Sequence, residues 1–362
     1  MATPPWLDTP GPIRPGEEID QERLRSYLLT VLPHLEDQQL RVQQFPSGYS
    51  NLTYLIQVGG ESMVLRRPPV GVKIATAHDM SREFKILSAL HPVYRKVPEP
   101  LVFCGDSNVI GSPFYLMERV EGVILRRDIN PAIAPSPELT SEIAGSLVDT
   151  LAELHGVDWD GAGLGSLGRP EGYTERQIAG WTKRYGLSET DMIPEAQWVA
   201  TWLANNIPPP QPASLIHNDF KHDNVVLDSS DWSNVTAVLD WEMATLGDPL
   251  MDLGTFLAYW IEPTDSPALI ESRLTPTTLP GTPTRIEIAQ RYIQATGHPQ
   301  ENIVFYYAYG LFKVAVIVQQ LYSRYVNGRT SDPRYARLIK GVDALFGTAR
   351  RAIDRGRIDD LA

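Results

Sequence analysis

Four polar residues in the second half of the chain have the types and the spacing that a phosphoryl transfer needs. His217, Asp219 and Asn224 form the pattern His-x-Asp-x-x-x-x-Asn, and Asp240 ends a second apolar run sixteen residues after Asn224. One carboxylate of such a set can accept the proton of an attacking hydroxyl, while an amide oxygen and a second carboxylate can hold Mg²⁺ against phosphates. An isolated His-x-Asp more often marks a turn with a capping carboxylate, so the interpretation depends on the complete spacing.

Two short strands are expected beside this polar loop, at Asn224–Leu227 and Val235–Leu239. A hairpin formed by them would bring Asn224 and Asp240 to one place. The order of catalytic loop, hairpin and metal-binding aspartate is that of the protein-kinase-type fold. That fold also requires a loop over the nucleotide phosphates, a cation on its third strand and a glutamate on the helix that follows.

The N-terminal third of the chain supplies candidates for each of these three parts. The loop between two predicted strands contains four small or polar residues that could cover phosphates: Ser47, Gly48, Ser50 and Asn51. On the third strand, alternation places Val64 and Arg66 on one face, with Val64 toward the adenine and Arg66 toward the phosphates. Glu83 lies 17 residues later on a predicted helix and is the expected partner of Arg66. Two alternatives stay open: Arg66 and Arg67 as surface charges of a strand, and Glu83 as a solvated helix residue.

Apolar periodicity predicts an α+β chain with a small antiparallel-sheet lobe and a larger, mainly helical lobe. The first lobe has one main helix at Ala77–Leu90, after an initial helix at Ile19–Leu35. Its β-rich segments are Leu40–Phe45, Thr53–Val58, Ser62–Arg67, Leu101–Cys104 and Pro113–Glu118. We expect three regions along the chain: a flexible tail over 1–18, a nucleotide-binding lobe over 19–122, and a helical lobe over 123–362 with the catalytic loop and the acceptor site.

Composition restricts the classes of protein to which this chain can belong. Of its 362 residues, 43% are apolar and 21% are charged, which is typical of a globular chain. The net charge of −12 argues against a broad nucleic-acid-binding surface, although a pocket can still be locally positive. Cys104 is the only cysteine, which excludes an intramolecular disulfide. With no secretory signal and no uncharged apolar run of about 18 residues, we expect a cytoplasmic protein without a membrane partner. The Pro- and Thr-rich segment Thr264–Thr284 is predicted to be a surface loop.

Several segments of the chain together match one known family. They are Val64–Pro69, Arg82–Phe84, Leu151–Asp158, Tyr173–Gln177 with Trp181, His217–Asp219, Asp240–Glu242, Gly247–Pro249 and Asp252–Leu253. On these residues the sequence resembles the aminoglycoside phosphotransferase / choline kinase superfamily, from about residue 20 to residue 350. It is more narrowly similar to the phosphotransferase branch that is fused to, or encoded beside, acyl-CoA dehydrogenases (the branch of family members 10 and 11). That branch also has arginine at the strand position of the cation, so the absence of a lysine there does not argue against activity.

The resemblance implies a protein-kinase-like two-lobe fold and a set of residues that bind ATP and Mg²⁺. Asp219 would be the catalytic base, and Asn224 and Asp240 would be the Mg²⁺ ligands. Arg66 with Glu83 would position the ATP phosphates. The hinge would hold adenine through the backbone of three residues: Met117, Glu118 and Val120.

The acceptor is expected to be a small molecule that the second lobe selects. Candidate contacts are Tyr173, Arg176, Lys221, His222 and Glu242. The branch resemblance implies a hydroxylated acyl chain, as a CoA thioester or a hydroxy acid, and a functional link to an acyl-CoA dehydrogenase. Two alternatives remain: a kinase of the aminoglycoside or choline type, and a catalytically silent nucleotide-binding protein. The presence of Asp219, Asn224 and Asp240 favours an active enzyme.

Overall fold

The computed structural model describes residues 9–35, 39–46, 51–69, 79–330 and 332–362, which fold as two compact units. The first contains the described residues up to Ile124, together with Gly161–Leu164 and Val225–Met243. The second contains Leu125–Asp160, Gly165–Asn224 and Ala244–Ala362. The sequence placed one boundary at residue 122, whereas the structure also assigns two later segments to the first unit.

The first unit is built on a five-stranded antiparallel sheet with the order β1-β2-β3-β5-β4. Its strands are β1 (Arg41–Gln44), β2 (Leu52–Val58), β3 (Glu61–Arg67), β4 (Pro100–Cys104) and β5 (Phe114–Glu118). Gly59 and Gly60 have positive φ and form the tight turn between β2 and β3. In the resulting register, Val64 lies opposite Leu55 on one side and Met117 on the other. Each predicted strand is confirmed to within one residue at either end.

Two helices of this unit, α1 (Gln21–Val31) and α2 (Met80–Leu90), contribute to its packing. Residues of α1 and β3 share one apolar core, among them Leu24, Leu28, Met63 and Leu65. Because side chains alternate along a strand, Val64 and Arg66 point away from this core. Arg66 reaches Glu83 of α2 there, so the sheet separates an apolar face from a charged one.

The described residues before α1 contact the sheet of the first unit. The predicted flexible tail lies outside the described residues up to residue 8, but Gly11 pairs with Gln44 of β1 through backbone hydrogen bonds of 2.8 and 2.9 Å. The carbonyl of Glu17 accepts hydrogen bonds from Tyr54 and Arg67. These bonds extend the edge of the sheet, so the described part of this segment packs with the first unit, and the flexibility of the tail stays a prediction.

A second hairpin belongs to the first unit and leads to Asp240. Its strands are β7 (Val225–Leu227) and β8 (Val235–Val238), which pair antiparallel. Leu227 also exchanges two backbone hydrogen bonds with Val123, at 2.8 and 2.9 Å. These bonds explain why the hairpin packs with the first unit. The backbone then turns at Asp240, which has a φ of 66°.

The second unit is mainly helical. Its helices are α3 (Pro137–His155), α4 (Tyr173–Ser188), α5 (Pro194–Asn205), α6 (Pro249–Tyr259), α7 (Pro267–Glu271), α8 (Arg285–Thr296), α9 (Ile303–Val326) and α10 (Leu338–Arg355), and its strand pair is β6 (Ser214–Ile216) with β9 (Thr245–Gly247). By length and composition α9 could cross a membrane, but 78% of its most apolar stretch is buried. It is a core helix of this unit.

Helices α6 and α9 cross at two glycines. A Cβ atom at Gly254 would lie 2.0 Å from the carbonyl oxygen of Tyr306, and one at Gly310 would lie 2.0 Å from the carbonyl oxygen of Gly254. Only glycine allows the two backbones to approach so closely. The crossing brings Asp252 of α6 and Lys313 of α9 to the loop that follows β6.

The segment Thr264–Thr284 is only in part the surface loop that its composition predicted. It contains α7, and two of its threonines are at most 1% exposed. The hydroxyl of Thr275 donates to the carbonyl of Tyr259 at 2.6 Å, and that of Thr277 donates to the carbonyl of Ile261 at 2.8 Å. The prediction is wrong for these two threonines because their hydroxyls satisfy backbone carbonyls at and after the end of α6, which makes their burial favourable.

Candidate active site

Asp219 lies in the loop after β6, and three side chains donate hydrogen bonds to its carboxylate. The hydroxyl of Tyr259 binds Oδ1 at 2.8 Å, and the amide of Asn224 binds Oδ2 at 3.0 Å. The ammonium of Lys221 also binds Oδ2. Burial and the neighbouring Asp219 raise the pKa of Tyr259 well above its usual range, so its hydroxyl stays protonated and donates. The side chain of Asp219 keeps 19% of its surface exposed, which leaves it accessible to a substrate hydroxyl.

The backbone before Asp219 is held in an uncommon conformation. Asn218 has a φ of 67°, in the left-handed region that asparagine tolerates better than most residues. Asp252, buried on α6, accepts hydrogen bonds from the backbone N–H of His217 at 2.7 Å and of Asn218 at 2.8 Å. Nε2 of His155 lies 3.2 Å from the same carboxylate. Burial alone would raise the pKa of Asp252, but the hydrogen bond to His155 and nearby positive charges lower it, so the carboxylate can accept all three contacts.

Lys313 of α9 binds the same asparagine. Its ammonium donates to the carbonyl oxygen of Asn218 at 2.6 Å and to the side-chain oxygen at 3.1 Å. The hydroxyl of Tyr173 donates to that side-chain oxygen at 3.2 Å. Lys313 is 1% exposed, and burial lowers its pKa to about 8, although Asp252 and Asp219 oppose this change. The peptide that precedes Asp219 is therefore fixed by side chains from α4, α6 and α9.

The first unit holds a second cluster of charges, centred on Arg66 of β3. Its guanidinium binds Glu83 at 2.7 Å and Asp240 at 2.8 Å, and it lies 3.9 Å from Glu242. The amide of Asn51 donates to Glu242 at 2.7 Å. Burial alone would lower the pKa of Arg66, but Glu83 and Asp240 raise it well above its ordinary value, so the guanidinium stays charged. Glu83 is 2% exposed, which excludes its interpretation as a solvated helix residue.

Arg66 and Arg67 are both buried, so they are not surface charges of a strand. Arg67 points to the opposite face of β3, where its guanidinium donates to the carbonyls of Glu17 and Ile110 and to the hydroxyl of Tyr54. These acceptors belong to the packing of the sheet. The two adjacent arginines therefore differ in role, because Arg67 stabilises the unit and Arg66 joins a cluster of carboxylates.

Asn224 and Asp240 each offer oxygen atoms of the kind that Mg²⁺ prefers. The amide nitrogen of Asn224 donates to the carbonyl and the carboxylate of Asp219, which leaves its Oδ1 for a metal. Among the residues that the structure describes, no group of three or more His, Cys, Asp or Glu side chains could hold a metal ion. Mg²⁺ commonly takes only one or two protein oxygens and completes its shell with phosphates and water, so Asn224 and Asp240 each have the chemistry of a Mg²⁺ ligand, and their joint role stays a prediction.

The remaining cofactor-binding candidates lie on or beside the sheet. Val64 and Met117 face each other across β3 and β5 and are 8% and 7% exposed. Glu118 ends β5, and its backbone N–H donates to the carbonyl of Glu99 at 2.8 Å. Val120 follows and is half-buried. The loop candidates Ser47, Gly48 and Ser50 lie outside the described residues. The hinge and the phosphate loop stay predictions.

Two acceptor candidates on α4 have their polar groups occupied within the second unit. Tyr173 is 5% exposed, and its hydroxyl binds Asn218. The guanidinium of Arg176 donates to the backbone carbonyls of Arg169 and Glu171, so it fixes the chain that leads into the helix. The cavity beside Tyr173 measures about 90 Å³, well below the roughly 300–1,000 Å³ of a ligand site. This region has little room for an acyl chain.

The other three acceptor candidates lie in different surroundings. His222 is buried against Trp260, with the ring centroids 5.4 Å apart, and burial lowers its pKa to about 4. It is therefore neutral at pH 7. Lys221 binds the carboxylate of Asp219. Glu242 belongs to the charge cluster of the first unit. Of these three, Lys221 lies at the candidate base.

The structure adds two residues that the sequence patterns did not indicate, Tyr259 and Lys313. Tyr259 binds Asp219 from 40 residues away, and Lys313 binds Asn218 from 95 residues away. The one available signal was a lysine inside the apolar pattern of α9, since a buried lysine needs an acceptor. That signal could not identify the acceptor.

The helical unit carries an oriented aspartate with its asparagine, and the sheet unit carries a cation paired with a helix glutamate. Each of these is of the type found in a phosphotransferase with a kinase-like fold. The chain belongs to the APH phosphotransferase enzyme family, whose model matches residues 41–287. The resemblance to this superfamily is thereby confirmed.

Relatives among known proteins agree with this assignment. Acyl-CoA dehydrogenase family member 11 from Gallus gallus is 36% identical over 340 residues, which cover 91% of this chain and 43% of that protein. This chain therefore spans about two fifths of the length of that relative. A crystal structure of a protein named as an aminoglycoside phosphotransferase, from Ralstonia eutropha JMP134, is 31% identical to this chain. It has a TM-score of 0.73 and covers 91% of this chain and 98% of that one. A thermostable aminoglycoside phosphotransferase in complex with AMP-PNP and hygromycin B is 16% identical, with a TM-score of 0.54 over 89% and 98%, which shows the fold alone.

Proposed function

We propose that this protein transfers the γ-phosphoryl group of Mg²⁺-bound ATP to a hydroxyl group of a small molecule, and that the acceptor is a hydroxyacyl-CoA or a related hydroxy acid. The arrangement at Asp219 carries the proposal. Donors from Tyr259, Lys221 and Asn224 hold its carboxylate in one orientation, while part of it stays exposed. A carboxylate held in this way can accept the proton of a hydroxyl at hydrogen-bonding distance.

In the proposed reaction, the acceptor oxygen forms a bond to the γ-phosphorus while the bond from that phosphorus to the ADP oxygen breaks. The hydroxyl proton passes to the carboxylate of Asp219. Lys221, bound to the same carboxylate, supplies positive charge near the transferred group. Asn224 and Asp240 would hold Mg²⁺, which neutralises charge on the phosphates.

The cluster around Arg66 supports ATP as the phosphoryl donor. A guanidinium matches phosphate geometry through two parallel hydrogen bonds. The ion pair with Glu83 at 2.7 Å holds Arg66 in place.

The relative that carries the name acyl-CoA dehydrogenase supports an acyl acceptor. By that name it acts on acyl-CoA thioesters, and this chain matches about two fifths of its length. Phosphorylation of an acyl hydroxyl would prepare a leaving group on the same class of substrate. We therefore extend the proposal to a functional link between this kinase activity and an acyl-CoA dehydrogenase.

An assay of ADP and phosphorylated product in the presence of Mg²⁺ tests the reaction. We expect ADP to form in step with phosphorylation of a hydroxyacyl-CoA or hydroxy acid, and little or none with kanamycin or choline. If kanamycin is phosphorylated and hydroxyacyl-CoAs are not, the acyl acceptor is refuted and the protein is an aminoglycoside-type kinase. Absence of turnover with every acceptor would favour a silent nucleotide-binding protein.

Asp219→Asn tests the role of the base. This variant should lower kcat by about 10²–10⁴-fold, the usual contribution of a general base, and should bind AMP-PNP as the wild type does. Asp231→Asn, at an exposed carboxylate in the turn between β7 and β8, is the matched control. Full activity of Asp219→Asn would remove Asp219 from this role.

A further inference from the structure

A cavity of about 500 Å³ lies in the second unit, next to Tyr259. Its walls come from the end of α6, from α7, from α9, and from the start of α10 with the turn Pro333–Arg337 before it. The hydroxyl of Tyr259 binds the carboxylate of Asp219 at 2.8 Å. Ligand sites commonly measure roughly 300–1,000 Å³. The cavity therefore has a suitable volume and begins one side chain away from the candidate base.

The lining of this cavity combines an apolar wall with an excess of positive charge. The apolar members include Ala258, Ile261, Val318 and Leu345. The charged members are Arg127, Arg334, Arg337, Lys340 and Glu271. Four positive charges against one negative charge give a formal +3, in a chain whose net charge is −12. This local reversal of sign favours a ligand that has both an anionic group and an aliphatic part.

Two of the four cations already have partners, and two are available for a ligand. Arg334 pairs with Asp332 at 2.6 Å, and Arg127 donates to a backbone carbonyl of α7 at 2.9 Å. Arg337 and Lys340 are exposed and form no ion pair with the residues that the structure describes. They are three residues apart at the start of α10, a spacing that puts helical side chains on one face. Positive charge is unfavourable at the N-terminal end of a helix, so Arg337 and Lys340 do not stabilise α10 through its dipole.

We propose that this cavity is the acceptor site, and that Arg337 and Lys340 bind a phosphate or carboxylate group of an acceptor whose aliphatic part packs on the apolar wall. The inference rests on the proposed function and relocates its acceptor contacts away from α4. The acceptor hydroxyl is then expected at the Tyr259 end of the cavity, because the hydroxyl of Tyr259 binds the carboxylate of Asp219. A polycationic aminoglycoside would meet charge of its own sign in this cavity.

Binding of non-reacting probes tests the anion site directly. The full chain is saturated with Mg²⁺ and AMP-PNP, so that a probe cannot occupy the nucleotide site, and is titrated by calorimetry. Phosphopantetheine presents a phosphate on a long chain, and octanoate presents a carboxylate on an aliphatic one, so the two probes distinguish the sources of the anion. We expect at least one to bind, and Arg337→Ala/Lys340→Ala to weaken its binding about 10- to 100-fold, as expected for lost charged hydrogen bonds.

Three further variants separate the anion site from general effects of charge or folding. Arg41→Ala/Arg324→Ala removes the same charge from exposed arginines outside the lining and should bind the probes as the wild type does. Arg337→Lys/Lys340→Arg keeps the charge and should retain most of the affinity. Val318→Trp fills the cavity without a change of charge and should weaken binding. Equal binding by the wild type and the double alanine variant, or no binding of either probe to the wild type, would overturn the proposal.

Kinetics separate this inference from the proposed function. With a hydroxyacyl-CoA, Arg337→Ala/Lys340→Ala should raise the KM for the acceptor about tenfold or more and leave kcat and the KM for ATP near the wild-type values. The effect should shrink as ionic strength rises. If the double alanine variant binds the probe more weakly but the wild type phosphorylates no acceptor, the anion site is supported and the proposed kinase function is overturned. Phosphorylation with an unchanged acceptor KM in the double variant would support the function and overturn the site.

Discussion

Replacement of Lys313 by methionine removes a buried charge from the support of the catalytic loop and nearly preserves the length of the side chain. Lys313 is 1% exposed and donates to the carbonyl of Asn218 at 2.6 Å. Burial lowers its pKa from 10.5 to about 8. The folded protein releases this proton at a lower pH than the unfolded chain, so the unfolded chain binds more protons between these two values. Stability must therefore rise with pH in that interval and be independent of this group below it.

The magnitude of this effect follows from the two pKa values. The full difference, reached above pH 10.5, is about 3 kcal/mol at about 1.36 kcal/mol for each pH unit. At pH 9.5 about 2 kcal/mol of it has developed, and at pH 7.0 almost none has. In the variant at pH 7.0, loss of the buried charge stabilises the fold, while loss of the donor to Asn218 destabilises it by about 1–3 kcal/mol. These effects oppose each other, so the variant should fold, and the change with pH is the diagnostic quantity.

Urea unfolding at pH 7.0 and pH 9.5 measures that change. The stability of the wild type relative to Lys313→Met should rise by about 2 kcal/mol between the two conditions. Lys85→Met, at an exposed lysine of α2, is the matched control for the loss of a lysine. Lys313→Met should also lower kcat by up to about 100-fold, because the loop of Asp219 loses a fixed contact. If the difference in unfolding free energy between the wild type and Lys313→Met is the same at both pH values, Lys313 does not titrate as a buried charge. If kcat is unchanged, Lys313 does not position the loop of Asp219.

Three further predictions, for Arg66, Arg67 and Asp240, concern the first unit. Arg66→Ala should raise the KM for ATP, lower kcat and destabilise the fold by about 3–5 kcal/mol, since it leaves Glu83 buried without its cation. Arg67→Ala should lower the thermal stability without an effect on the KM for ATP; an effect on that KM from Arg67 alone would mean that the strand faces are exchanged. Asp240→Asn keeps a residue that tolerates a φ of 66° and removes one carboxylate, so calorimetry with AMP-PNP should show weaker Mg²⁺ binding. Asp231→Asn should bind Mg²⁺ normally, and unchanged binding in Asp240→Asn would contradict its assignment.

The strands could be predicted because the signals that define them are local. Alternation along β3 and the glycine pair at residues 59–60 lie within one short stretch of sequence. The segment Thr264–Thr284 shows where such reasoning stops. Thr275 and Thr277 are polar, yet their hydroxyls bind carbonyls that lie 16 residues earlier, and both residues are buried. Composition cannot reveal a partner that only the folded chain supplies.

The pattern around Asp219 was visible in the sequence because its members are close neighbours, whereas the side chains that hold the loop were not. Tyr259 and Lys313 reach it from 40 and 95 residues away, and no local pattern connects them. Arg176 shows the opposite error. It looks like an available cation on a helix, but its guanidinium binds carbonyls of Arg169 and Glu171 just before that helix. The charge of a side chain does not reveal whether a backbone acceptor lies within its reach.

Two residues of α6 act on the candidate base at different points. Asp252 accepts hydrogen bonds from the backbone of His217 and Asn218, and Tyr259 donates to the carboxylate of Asp219. The two α6 residues are seven positions apart, which is about two helical turns, so they lie on one face of one rigid element. The backbone of the loop and its reactive carboxylate are therefore held by the same helix, and neither can move alone without breaking a bond to it.

The close crossing of α6 and α9 extends this support to Lys313. A Cβ atom at Gly254 or at Gly310 would lie 2.0 Å from a carbonyl oxygen of the facing helix, so only glycine permits the approach. Gly310 is one helical turn before Lys313, and that turn brings the ammonium within 2.6 Å of the carbonyl of Asn218. A wider crossing would carry the charge away from the loop. Two residues without side chains therefore set the distance at which a buried cation supports the peptide before Asp219.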